Sequence, residues 1–293
     1  MTANEAANLI HDQFPQLEGM EVTFLGEGTD HAAFEVGGRY VFRFPHRDEG
    51  ADALALETRL TAWLAPRLPL KIPRYQFLGQ LSPSFPRAFA GYPKISGTPA
   101  LELHPYPTNF AATGQRLGAF LRILHGLEVH EALRLGVPQD DDPTLEQWSG
   151  EARSGLHFLV EHGYLESGQN KHWEKILAKP PKLERRLSKV MHGDFAAEHV
   201  LLDAQGTPCG VIDWSDALVG DPAQDLAGLL HWGGMPLLSS ALETYGDLEA
   251  EALERAQWYA ACRAFADIRY GQTKQLERYV TAGKQALKWL ERQ

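Results

Sequence analysis

Val190-Met191-His192-Gly193-Asp194-Phe195-Ala196-Ala197-Glu198-His199-Val200-Leu201-Leu202-Asp203, with Gly210-Val211-Ile212-Asp213-Trp214 shortly after it, decides the fold. Residues that can hold a proton or a metal punctuate short apolar runs that favour strands. The runs Val200–Leu202 and 210–212 flank the turn Ala204-Gln205-Gly206, so they are expected to pair as a hairpin. Asp213 lies nineteen residues past Asp194. Such a hairpin returns it to the loop that carries Asp194 and His199, where two carboxylates and one imidazole can converge on a cation.

Phosphoryl transfer requires groups of this kind. The transferred group is heavily negative, so a divalent cation must bridge the phosphates and be held by carboxylates. A separate carboxylate must orient the acceptor hydroxyl and take its proton. Asp213 suits the first task and Asp194 the second.

Upstream of this stretch the pattern divides near residue 95. A short helix at 4–13, capped by Asn4, precedes strand-like runs at 22–26, 32–36 and 39–44, the last two separated by Gly37-Gly38. Ala, Leu and Trp at helical spacing over 50–65 predict a helix that Pro66 closes. Two more strands are expected at 74–80 and 87–92. Pro93 to Pro99, with Gly97, reads as a hinge. Beyond it the spacing predicts helices at 109–126, 144–162, 170–187, 221–232, 249–271 and 274–291.

These residues resemble the aminoglycoside phosphotransferase family, which has a protein-kinase-like fold. The resemblance runs over nearly the whole chain. Its strongest parts are His192-Gly193-Asp194, Ile212-Asp213-Trp214 and Gly220-Asp221-Pro222-Ala223-Gln224-Asp225-Leu226-Ala227. It implies an α+β, two-lobed protein. Residues 1–94 would form a nucleotide-binding lobe with an antiparallel sheet and one main helix, and 95–293 a helical catalytic and substrate-binding lobe. It further implies that Asp194 is the catalytic carboxylate, that Asp213 is the main Mg2+ ligand, and that His192 holds the catalytic loop. The Asp-Pro-x-x-Asp segment would open a buried helix whose acids brace that loop. ATP or GTP would be the donor, and a small-molecule hydroxyl, of an aminoglycoside or macrolide type that includes cationic molecules, the acceptor.

One position departs from the pattern. The family usually carries Asn five residues after the catalytic Asp as a second Mg2+ ligand, and this chain has His199. A subgroup resembling macrolide and aminoglycoside kinases carries His there. Neutral imidazole binds divalent cations, although Mg2+ prefers oxygen.

The first lobe should grip the triphosphate. Gly26 and Gly28, in Leu25-Gly26-Glu27-Gly28-Thr29-Asp30, lie between two strands where backbone N–H groups can cover phosphates. A plain β-turn is the competing reading. Arg43 stands on the third strand where kinases keep a phosphate-binding Lys, and its forked guanidinium can serve the same anion. Glu57 on the next helix is its expected ion-pair partner. An exposed strand Arg and a solvated helix Glu are the plainer alternatives. By the resemblance, Tyr92 and Ile95 bound the segment whose backbone would bond the purine.

Other polar residues near the core motif have ordinary explanations. His192 reads as a buried structural histidine as well as a catalytic-loop residue. Asp203 and Asp216 read as turn or capping residues, Glu198 as solvated, and His231 and Trp232 as packing. The acceptor pocket is expected from helices between 100 and 187, a region with no recognisable motif.

Bulk composition narrows the function classes. The 293 residues are 44% hydrophobic and 23% charged, ordinary for a folded chain of about two domains. Thirty-eight acidic against 28 basic residues give a net charge of -10, which disfavours nucleic acid and anionic membranes as partners. Cys209 and Cys262 have no Cys-x-x-Cys partner, so a disulfide scaffold or zinc-thiolate site is not expected. No secretory n-region or membrane-length apolar run is apparent, and the expected compartment is the cytoplasm. Three rivals to the antibiotic kinase stay open. They are a kinase of an amino alcohol, sugar or nucleoside, a metal-dependent phosphohydrolase built on His192, Asp194, His199 and Asp213, and a silent nucleotide-binding regulator.

Overall fold

The computed structural model describes residues 1–103, 110–140, 142, 144–165, 167–182 and 188–291. Helix α1 (Ala3–Gln13) starts one residue earlier than expected. Thr2, rather than Asn4, is its cap, because Glu5 three residues on completes a reciprocal capping box with Thr2.

Five strands follow: β1 (Val22–Glu27), β2 (His31–Val36), β3 (Tyr40–Pro45), β4 (Phe77–Gly79) and β5 (Phe89–Pro93), with α2 (Asp48–Leu64) between β3 and β4. They form one antiparallel sheet in the order β1-β2-β3-β5-β4. Alternation puts Phe34, Phe42, Phe44, Phe77 and Phe89 on one buried face with Leu9 and Ile10 of α1. Phe44 and Phe89 stack with centroids 4.5 Å apart. Each such ring removes about 1.5–3 kcal/mol worth of apolar surface from water. Of the strands expected at 74–80 and 87–92, β4 keeps only 77–79 and β5 runs from 89 to 93.

The 93–99 segment is more firmly held than a hinge reading suggests. Short strand β6 (Thr98–Pro99) pairs with β8 (Val200–Leu202). A side chain on Gly97 would meet Cys209 Sγ at 2.8 Å.

The remainder is mainly helical: α3 (Phe110–His125), α4 (Val129–Leu135), α5 (Glu146–Glu161), α6 (Ser167–Leu177), α7 (Ala223–Tyr245), α8 (Ala250–Lys274) and α9 (Glu277–Leu290). Helix α6 stops ten residues short of the expected 187, ahead of Pro180-Pro181, which cannot continue it; 183–187 lie outside the described residues. Helix α7 outruns the expected 232 by kinking at Gly234 (φ 60°, ψ -158°), two residues before Pro236. Among the described residues no helix is long and apolar enough to cross a membrane.

Strands β7 (Lys189–Met191), β8, β9 (Pro208–Val211) and β10 (Leu218–Gly220) lie within this helical part. As the turn predicted, β8 pairs with β9, Val200 opposite Val211. The partner of β7 is β10, Met191 opposite Leu218. The two pairings bring the β7–β8 loop and the β9–β10 turn together. One holds Asp194 and the other Asp213.

The larger core joins α3, α5, α7, α8 and α9 around Phe120, Phe195, Trp214 and Phe265, and also takes in Leu60 and Leu64 of α2. Helix α2 therefore buries residues against both parts of the molecule. The overall arrangement is α+β: an antiparallel sheet of five strands beside a mainly helical part.

Candidate active site

The β7–β8 loop is braced from beneath. Asp225 near the start of α7 is wholly buried. Its carboxylate accepts the backbone N–H of His192 at 2.9 Å and of Gly193 at 3.0 Å, and His125 Nε2 lies 3.1 Å from it. Gln224 donates to the Gly193 carbonyl at 2.8 Å. Gly193 sits at φ 82°, and a Cβ there would meet the Asp216 carbonyl oxygen at 2.0 Å. Gly228 of α7 has no room for a side chain either, since its Cβ would lie 1.6 Å from the Phe195 carbonyl oxygen. Glycine at these two points sets how closely the loop approaches its neighbours.

His192 is fully buried and both ring nitrogens are engaged. Nε2–H donates to the Ile212 carbonyl at 3.0 Å, and Nδ1 accepts the Asp194 N–H at 3.3 Å. Burial lowers its pKa, so the ring stays neutral. It ties the Asp194 loop to the Asp213 turn.

Asp194 presents a partly exposed carboxylate. Its Oδ1 accepts from Arg263 Nη1 at 2.6 Å, and its Oδ2 lies 3.5 Å from His199 Nδ1. Burial alone would raise its pKa, but Arg263 and then His199 outweigh burial and hold it at about 2.

His199 donates Nδ1–H to the Asp194 carbonyl at 2.8 Å. In the neutral ring that fixes the lone pair on Nε2, which lies 3.8 Å from Asp213 Oδ2. The three carboxylates Asp194, Glu198 and Asp213 outweigh burial and lift the His199 pKa to about 9, so without a metal the ring holds both protons and Nε2 must release one to bind a cation. Asp213 has φ 63°, a left-handed conformation rare outside glycine, at the head of the turn. Against burial, Arg43 and His199 depress its pKa.

Arg43 reaches this turn from β3. Nη1 pairs with Glu57 at 2.6 Å, and Nη2 with Asp213 at 3.0 Å and Ser215 Oγ at 3.1 Å. Glu57 is fully buried, and the Arg43 side chain is 11% exposed. Burial raises the Glu57 pKa even with Arg43 beside it. His31 Nδ1 sits 3.3 Å from Arg43 Nη2, and its Nε2 bonds the Gly50 carbonyl at 2.9 Å. Neither the exposed-Arg nor the solvated-Glu reading describes these residues.

This pair supports a stability prediction. Arg43→Ala leaves the Glu57 carboxylate buried without its main partner, a change that costs about 3–5 kcal/mol. Urea unfolding should show that loss, and Arg43→Ala/Glu57→Gln should recover much of it. A single variant within about 1 kcal/mol of the parent, ~0.2–1 being the worth of a surface pair, would contradict this.

The other sequence candidates fall further out. Gly26 lies at a bulge in the β1–β2 ladder, and Gly28 donates its N–H to the His31 carbonyl at 2.9 Å. A Cβ at Gly26 would meet nothing within 4 Å, and one at Gly28 only the His31 carbonyl oxygen at 4.0 Å. Tyr92 and Ile95 stand in and just beyond β5. Tyr92 is buried against Tyr75, and Ile95 packs over Gly210.

Glu198 is tied down rather than solvated, accepting from Arg263 Nη2 at 2.8 Å. Asp203 caps its own turn through the Gln205 and Thr207 N–H groups. His231 is buried with Nε2 3.1 Å from Asp267 Oδ2.

Ser215, His31 and above all Arg263 were missed from sequence. Arg263 had one signal, a charge inside the apolar run Ala260-Ala261-Cys262-Arg263-Ala264-Phe265.

The donor set suits a divalent cation only in part. Among the described residues no group of three or more His, Cys, Asp or Glu side chains is arranged to hold a metal. Asp213 Oδ2 and a deprotonated His199 Nε2 could supply two ligands, and a hard cation would draw its remaining ligands from phosphate and water oxygens.

Comparison with known proteins agrees with this architecture. A family model described as "APH: Phosphotransferase enzyme family" matches residues 21–259. The viomycin phosphotransferase of Streptomyces vinaceus is 29% identical over 159 residues, 52% of this chain and 54% of that protein. The uncharacterized protein YcbJ of Bacillus subtilis (strain 168) is 24% identical over 204 residues, 65% of this chain and 62% of that one. The matches thus span only about half to three-fifths of these curated relatives. The GDP complex of wild-type aminoglycoside 2'-phosphotransferase-IIIa superposes with a TM-score of 0.74 at 23% identity, covering 100% of this chain and 98% of that one. Macrolide 2'-phosphotransferase type I gives 0.66 at 23% identity, covering 96% and 95%. At these identities the solved structures establish a shared fold.

Proposed function

This chain belongs to the phosphotransferase enzyme family, and we propose on that premise that it moves the γ-phosphoryl group of ATP or GTP to a hydroxyl of a small molecule. Aminoglycoside- and macrolide-type antibiotics are the acceptor class we infer. The similarity to viomycin phosphotransferase adds viomycin to the acceptors worth testing. One observation carries the reading: Asp194 and Asp213 flank His199, while the buried Arg43–Glu57 pair reaches Asp213 from the sheet.

In this reading residues 1–94 form the nucleotide lobe and 95–293 the catalytic and acceptor lobe. The β1–β2 turn with Gly26 and Gly28 covers the phosphates, since glycines there leave space for close approach. The segment from Tyr92 to Ile95 borders the purine. Arg43 directs donor N–H groups at phosphate oxygens, held in place by Glu57. Asp213 and His199 hold the Mg2+, which when bound neutralises charge on the donor phosphates. Asp194 orients the acceptor hydroxyl and accepts its proton as the bond to phosphorus forms. His192 acts at one remove, through the loop it ties down. The cytoplasm, where nucleoside triphosphate is abundant, is the setting this chemistry implies.

A phosphohydrolase would have no use for Arg43 of β3 and Glu57 of α2 gripping the Asp213 turn. The test is a panel of ATP and GTP with Mg2+ against aminoglycosides, macrolides, viomycin, amino alcohols, sugars and nucleosides. Thermal shift would read binding, and transfer of a γ-phosphate label would read chemistry. Expected is label on one acceptor class. Nucleotide binding with label released only as inorganic phosphate, whatever the acceptor, would favour the hydrolase.

A further inference from the structure

Arg263 lies in the middle of α8 among Ala260, Ala261, Cys262, Ala264 and Phe265, all buried. A charge so placed needs partners. It has two, and both belong to the β7–β8 loop: Asp194 Oδ1 at 2.6 Å and Glu198 Oε1 at 2.8 Å. Its Nε–H is buried and makes no hydrogen bond among the described residues, so its bonds go to these two carboxylates, with Asp267 adding a longer-range attraction.

We propose that Arg263 is a positioning residue of the transfer reaction: its guanidinium, clamped between Asp194 and Glu198, fixes the Asp194 carboxylate by one oxygen and leaves Oδ2 to receive the acceptor hydroxyl. This rests on the reading of Asp194 as the residue that orients that hydroxyl.

The loop does not need Arg263 to hold its path. Asp225, Gln224, His192 and the close contact at Gly228 already fix its backbone. None of them touches the Asp194 side-chain oxygens. Without Arg263 the Asp194 carboxylate can rotate about χ2, a broad two-fold torsion. His199 Nδ1 cannot fix it, because that N–H is committed to the Asp194 carbonyl at 2.8 Å and stands 3.5 Å from Oδ2.

A planar fork anchored on two carboxylates four residues apart suppresses that rotation. A lysine ammonium has no such planar pair of donors. The clamp also sets a positive charge beside two negative ones, next to where a negative phosphoryl group would arrive.

The test uses the full chain with Arg263→Ala, Arg263→Lys and Glu198→Gln. Arg263→Ala should lower kcat for transfer about 10²-fold, the scale of a misplaced reacting group. Its Kd for Mg2+–nucleotide should stay within about twofold of the parent, since its two partners, Asp194 and Glu198, are neither the metal nor the nucleotide candidates. Added guanidinium at millimolar levels should restore part of that kcat. Arg263→Lys should fall between the two, and Glu198→Gln should show a smaller loss in the same direction. Unchanged turnover in Arg263→Ala would overturn the proposal. So would a loss matched by equal weakening of nucleotide binding and deaf to guanidinium, which marks a structural role only.

The clamp is also readable without activity. Side-chain 15N–1H spectra should show an arginine with slowly rotating Nη groups that Asp194→Asn and Glu198→Gln both perturb. If no acceptor is phosphorylated but that signal is present, the functional reading fails and the clamp stands. If transfer occurs and the signal is absent, the clamp fails.

Discussion

Asp194→Asn is expected to cut phosphoryl transfer by ~10²–10⁴-fold, the range a positioned acid–base group contributes. Nucleotide affinity should hardly change. The substitution preserves shape, so the Asp194 N–H can still bond His192 Nδ1 and the Asp225 brace is untouched. What is lost is the anionic oxygen that orients a hydroxyl and takes its proton. Steady-state kinetics on the best acceptor would show the fall in kcat, and titration calorimetry would show the retained nucleotide binding. Equal turnover in the variant would remove Asp194 from the chemistry.

Asp213→Ala should have its large effect elsewhere. Asp213 pairs with Arg43 at 3.0 Å, lies 3.8 Å from His199 Nε2, and accepts from Ser215 Oγ at 3.0 Å. On the proposed reading, removing it takes away the carboxylate that would hold the metal and a neighbour of Arg43, the proposed phosphate-binding cation. Two charge-assisted contacts at the low end of their range are worth about 3 kcal/mol, which is about 10²-fold in Kd. The Mg2+-dependent part of nucleotide affinity should fall by about that factor, while the Mg2+-independent part changes less. Nucleotide Kd measured across a Mg2+ series reads this directly. A parental Mg2+ dependence in Asp213→Ala would mean the cation is held elsewhere.

The two variants should therefore fail differently, one in turnover and one in metal-linked binding. This contrast follows from the geometry. Asp194 meets α8 through Arg263, whereas Asp213 meets the sheet through Arg43. The carboxylates share a histidine but face different parts of the molecule.

Sequence reading reached the centre of this site because the decisive contacts are local. Asp194, His199 and Asp213 are joined by a loop and a single hairpin, and the Ala204-Gln205-Gly206 turn gave that hairpin away. The five-stranded sheet was legible from alternating apolar residues and Gly37-Gly38. What escaped were elements too short or too distant to leave a periodic trace. The three-residue strands β7 and β10 pair across a gap of more than twenty-five residues. Helix α4 spans seven residues. Arg263 meets Asp194 across sixty-nine residues, with only a charge in an alanine-rich run to mark it. The Thr2 cap was passed over because Asn4 is also a good cap, and only the reciprocal bond from Glu5 separates the two.

Glu198 was misjudged for a related reason. A glutamate beside a histidine in a loop is usually solvated, and burial by a residue from a distant helix is a tertiary fact.

The most direct test of the central claim is the fate of the γ-phosphoryl group, followed by 31P NMR with Mg2+, nucleoside triphosphate and the best-binding acceptor. A new phosphomonoester signal appearing in step with nucleoside diphosphate, and absent with Asp194→Asn, is the predicted result. Nucleoside diphosphate accumulating with inorganic phosphate alone, for every acceptor that binds, would contradict it.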